Sequence, residues 1–143
     1  MKALAYCIAT LLLFTTIAFP RIGETEAQIE RRYGQPASGP GSTKEYSYKD
    51  LFVIITFDNG VSAIETYEKR NHSPMTDIEI GAALHANGAG AKWHKRSRNE
   101  FEVRYETKER IAEYNAFANT LTIAKLGTLI TSTSGVIAPA RNK

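Results

Sequence analysis

An almost unbroken apolar run from Ala3 to Phe19 opens the chain, with Met1-Lys2 before it and Pro20-Arg21 after it. Charged, apolar and polar segments in that order are the pattern of an export signal. The run falls short of the roughly 20 residues that span a bilayer comfortably, so the pattern predicts a cleaved signal over residues 1–18 rather than an anchor. Thr16 and Ala18 are small residues where a signal peptidase wants them, which places the cut after Ala18.

Beyond the signal, helical and strand periods alternate twice. Thr25 with Gln28 three residues on predicts a capped helix that stops at Gly34, with Pro36 just beyond. Thr76 with Glu79 predicts a second, stapled by Met75 and Ile80 and ending at Asn87-Gly88. Ile29 and Tyr33 on the first, and Ile80, Ala83 and Leu84 on the second, form the faces to be buried. Each helix then hands over to strands. Tyr46 and Tyr48 alternate with polar residues, and Leu51 to Phe57 is aromatic and β-branched. Asn59-Gly60 closes a hairpin, since both residues tolerate the positive φ of a type I′ turn. Pairing across that turn sets Phe57 against Ser62, Ile55 against Ile64 and Val53 against Thr66, with Val53, Ile55, Phe57 and Ile64 as the core face.

In the second half, Phe101, Val103 and Tyr105 alternate with Glu102 and Arg104. Residues 111–126, readable also at helical spacing, are taken as strands Ile111 to Phe117 and Thr120 to Leu126, turning at Ala118-Asn119. The expected fold is α+β: two helix-then-antiparallel-strands units, about 22–69 and 75–126, with the helices packed on antiparallel sheet. They form one domain over 19–126, a normal length, followed by a loose tail over 127–143.

Phe52, Ile54 and Tyr67 fall on the opposite face of the first hairpin, too much apolar surface for a face that simply meets water. Its cover is either the second half of the chain or, functionally, a partner protein or a second copy. The segment Gly23-Glu24-Thr25-Glu26-Ala27-Gln28-Ile29-Glu30-Arg31-Arg32-Tyr33-Gly34-Gln35-Pro36, with its hairpin through Asp58-Asn59-Gly60, resembles the opening of the SmpA/OmlA domain. That outer-membrane assembly module, also called BamE-like, shares its fold with β-lactamase-inhibitor proteins. The likeness covers Ile22 to Lys69 and implies a helix-on-sheet scaffold used for protein contacts rather than chemistry. The family's assembly role goes with a lipid anchor on a cysteine, and the one cysteine here, Cys7, lies early in the apolar run and leaves with the signal.

A net charge of +3 over 143 residues asks for neither nucleic acid nor an anionic membrane, and no membrane span is expected after cleavage. His72, His85 and His94 lack metal-site spacing, and no Gly-x-Ser-x-Gly or P-loop occurs, so no metal, cofactor or catalytic residue is expected. Glu100, Glu102 and Glu106 share a strand face and read as solvated. Lys92-Trp93-His94-Lys95-Arg96-Ser97-Arg98 is the one concentrated basic stretch. It reads either as a polyanion contact built on Trp93, Lys95 and Arg96 or as an edge strand defended by its cations, with Trp93 turned inward. The expectation is a secreted or periplasmic, non-enzymatic binding or scaffold module contacting a protein partner in the cell envelope or outside, through Phe52, Ile54 and Tyr67 with a lesser patch at Trp93, Lys95 and Arg96. The alternative is a small hydrolase-type enzyme with a pocket that no motif marks.

Overall fold

Both helices begin where a threonine hydroxyl takes an orphan backbone N–H of the first turn. A computed structural model describes residues 19, 21–39, 41–97 and 99–128. In it α1 spans Glu26–Tyr33 and α2 spans Asp77–Asn87. Thr25 Oγ1 accepts from Gln28 N–H at 3.4 Å while Gln28 Oε1 accepts from Thr25 N–H at 2.8 Å. The same reciprocal pair joins Thr76 and Glu79, at 3.2 and 2.6 Å. Each cap contributes about 1 kcal/mol. Among the described residues no helix is long and apolar enough to cross a membrane. The signal segment 1–18 and the tail from residue 129 on lie outside the described residues.

The strands are β1 Thr43–Tyr48, β2 Leu51–Asp58, β3 Val61–Lys69, β4 His94–Ser97, β5 Glu102–Glu106, β6 Arg110–Asn115 and β7 Thr120–Lys125. They form one antiparallel sheet in the order β1-β2-β3-β7-β6-β5-β4. This corrects the expected α+β pair of helix-on-sheet units. The fold is β-rich: among the described residues 42% are strand against 18% helix, and a single seven-stranded sheet runs through both halves. The join is between β3 and β7, paired from Ile64↔Ala124 to Glu68↔Thr120. Two lone three- or four-stranded pieces would each expose an inner edge; pairing those edges satisfies their backbone groups.

The first hairpin turns at Asn59 (φ 50°) and Gly60 (φ 80°) as its dipeptide demands. Phe57 faces Ser62, but Thr56 then faces Ile64, leaving Ala63 as the extra residue of a β-bulge. Below it Ile55 pairs with Glu65 and Val53 with Tyr67, one residue away from the simple hairpin register. The cause is tertiary. Ser62 is held by the segment that precedes α1: its N–H donates to Glu24 O and its carbonyl accepts from Gly23 N–H, both at 2.8 Å, and its hydroxyl donates to Arg21 O at 3.0 Å. A strand side chain changes face with every one-residue slip. Ile64, expected in the core, therefore sits half-buried on the opposite face, while Glu65 and Tyr67 turn under the helices.

Both helices cover the same sheet face. Ile29 of α1 and Ile80, Ala83 and Leu84 of α2 join Tyr46, Val53, Ile55, Tyr67, Ala112, Leu121 and Ile123 in one buried cluster. Phe19, the expected first residue after cleavage, belongs to it, its ring edge-on to Tyr67 at 5.3 Å. At roughly 1.5–3 kcal/mol per large apolar side chain, this cluster outweighs either cap.

Candidate functional site

The loop after α2 delivers the chain to the sheet edge through Trp93. The indole Nε1–H donates to Leu84 O at 2.7 Å and the ring packs against the core, which fixes the phase of the short strand that follows. Cross-strand partners place Lys95 on the helix side, in line with Tyr105 and Ala112, and Arg96 on the other, in line with Arg104 and Glu113. Trp93, Lys95 and Arg96 thus do not form one surface, and the basic stretch is an edge strand with cations on both faces.

Arg96 instead joins residues far away in sequence. With Lys92 and His94 it lines a concavity of about 500 Å³, closed by the turn between β5 and β6. That turn supplies Lys108 and Glu109, and the strands beside it supply Glu106 and Arg110. Arg110 is anchored: Nη1 donates to Asn87 O and Nη2 to Ile22 O at 3.4 Å, so the guanidinium caps the C-terminal end of α2 where carbonyls lack partners. Glu106 is engaged by Arg104 at 2.6 Å. Lys92, Arg96 and Lys108 have no carboxylate partner among the described residues. Among the described residues the concavity therefore sets Lys92, Arg96 and Lys108 against Glu109, with Glu106 held by Arg104, and its surplus of positive charge suits an anionic group.

On the sheet face away from the helices, Phe52 and Ile54 are half-buried, Phe52 beneath the Arg70 guanidinium at 5.0 Å. Tyr67, expected beside them, is fully buried on the core side. The bulge exchanges it for Thr66 and Glu68, and Thr66 bonds Thr122 across β3 and β7 at 3.1 Å.

The bulge also creates a polar cluster inside the core. Glu65 is 0% exposed, and its Oε2 accepts from Tyr67 Oη–H at 2.6 Å and Asn87 Nδ2–H at 3.4 Å. Oε1 has no partner among the described residues. Asn87 also donates to Tyr67 Oη at 3.2 Å and accepts from Ile22 N–H at 2.8 Å, tying the lead-in segment to the last turn of α2. Burial pushes the Glu65 carboxyl up to about 7, overriding the hydrogen bonds that pull it down. Burial and the neighbouring carboxylate in turn push the Tyr67 hydroxyl well above its ordinary value. A carboxyl titrating near neutrality suits acid–base chemistry, but this one is sealed from solvent and does not line the concavity beside β4. Its effect is on stability.

The sequence pattern pointed to Arg96 and to Lys92 in the same basic stretch and passed over Lys108 and Arg110, because no local signal brings the β5–β6 turn to the end of α2. Glu65 was hidden by the bulge, and Asn87 looked like a helix stop. No protein-family model matches the chain, and neither the curated proteins nor the solved structures contain a match.

Proposed function

We propose that the protein is a secreted or periplasmic, non-enzymatic binding module that engages an anionic partner in the cell envelope or outside. The observation that supports this reading is the convergence of Lys92, Arg96 and Lys108, all without ionic partners among the described residues, on one concavity. Surface cations near a bound anion are screened over about 10 Å at 0.1 M salt, so such binding weakens as salt rises. The likeness of Gly23 to Pro36 to the SmpA/OmlA opening favours the same class of role, a scaffold for contacts.

Titration of inorganic polyphosphate into the protein at about 20 mM and 200 mM salt tests the reading. Binding at low salt, lost in the triple variant Lys92→Ala, Arg96→Ala, Lys108→Ala, is expected. Absence of binding at low salt, or equal binding by the triple variant, overturns it.

A further inference from the structure

The sheet has two edges, and the chain treats them differently. At β1, Ala37 N–H donates to Glu45 O at 2.7 Å and Glu45 N–H to Ser38 O at 2.8 Å, so residues 37–38 occupy part of that edge. At β4, the last strand in the order, no described segment pairs on the outer side.

Hydrogen-bond phase shows which groups are left open. Ala116 N–H donates to Phe101 O and Thr107 N–H to Arg110 O, which turns the odd-numbered residues of β5 toward β6 and the even-numbered ones toward β4. His94 and Arg96 stand opposite Glu106 and Arg104, so their backbone groups serve the ladder with β5. Lys95 and Ser97 turn their N–H and C=O outward, a template for a further strand.

We propose that this edge takes up an extended acidic polypeptide as an added strand, its backbone pairing with Lys95 and Ser97 and its carboxylates lying against Lys95 on one face and against Arg96, Lys92 and Lys108 on the other. The proposal rests on the anion-binding reading and names the partner of that site. An added strand sends alternate side chains to the two faces of the sheet. Both faces of β4 carry a cation, Lys95 on the helix side and Arg96 on the concavity side, so acidic residues are matched whichever face they take. A second copy of β4 would set lysine and arginine against their own kind, which like-charge repulsion opposes. The open backbone groups select a polypeptide over other polyanions.

The test compares two variants and two probes. Proline at an edge position whose N–H faces outward leaves the ladder to β5 intact, so Lys95→Pro removes the edge donor while Lys95→Ala removes only the charge. A labelled octapeptide of alternating Glu and Val is the strand probe, and polyphosphate is the charge-only probe. Lys95→Pro should bind the peptide about tenfold more weakly than Lys95→Ala, the worth of one or two lost backbone hydrogen bonds. Polyphosphate should bind both equally. Amide hydrogen exchange in the unsubstituted protein should slow at Lys95 and Ser97 on peptide addition, and this decides the matter should Lys95→Pro fail to fold. Equal peptide affinity in two folded variants, no slowing at those amides, or protection arising from self-association overturns the proposal. Polyphosphate binding without peptide binding overturns it while leaving the anion reading intact; binding of neither overturns both.

Discussion

Replacing Glu65 by glutamine removes one buried charge and should make the pH dependence of stability visible in a single difference. The carboxyl ionises at about 7 in the folded protein against an ordinary 4.5. Below pH 4.5 both states hold the proton and the group imposes no penalty. Between 4.5 and about 7 the folded state keeps a proton that the unfolded state releases, so stability falls as pH rises, by about 1.4 kcal/mol per pH unit. Above about 7 both states are ionised and the full penalty of about 3 kcal/mol stands. Glutamine keeps an oxygen to accept from Tyr67 and Asn87, and its amide takes the side where Oε1 has no described partner. Urea unfolding of both proteins at pH 4.5, 6, 7 and 8 gives the difference directly, because the other titrating groups cancel. Glu65→Gln should be equal or slightly less stable at the acid end and more stable by about 3 kcal/mol at pH 8. A difference that stays constant across this range would refute a buried carboxyl that titrates near neutrality.

Two further substitutions probe buried polar groups of the core. Asn87→Ala leaves Ile22 N–H without its buried acceptor and deprives Glu65 and Tyr67 of a donor; a loss of about 2–4 kcal/mol is expected in urea unfolding, and less than 1 kcal/mol would contradict the arrangement. Tyr46 Oη is buried without a partner among the described residues, so Tyr46→Phe removes only an unsatisfied group. Its melting temperature should hold or rise, by up to the equivalent of about 1 kcal/mol, and a clear fall would show that the hydroxyl has a partner.

Helix starts, helix stops and turns were legible because their signals act over a few residues. Thr25 reaches Gln28, Thr76 reaches Glu79, and Asn59-Gly60 supplies its own backbone preference. The strands expected over Ile111 to Phe117 and Thr120 to Leu126 were legible as strands, because β-branching outweighed a competing helical spacing, though β6 ends at Asn115. The helix faces through Ile29, Ile80, Ala83 and Leu84 also emerged, since a 3.6-residue period is a property of the chain alone.

Tertiary structure decided what depends on residues remote in sequence. The bulge at Ala63 follows from Ser62 bonding to Arg21 and Gly23, about 40 positions earlier. That one insertion moved Tyr67 from a candidate contact face into the core and placed Glu65 beside Asn87. Edge pairing between β3 and β7 turned two expected units into one β-rich sheet. The concavity at β4 likewise needed the β5–β6 turn to meet the end of α2 through Arg110. Local periodicity determines which residues are strand or helix. Register and the meeting of distant charges are set by hydrogen bonds that no local pattern carries.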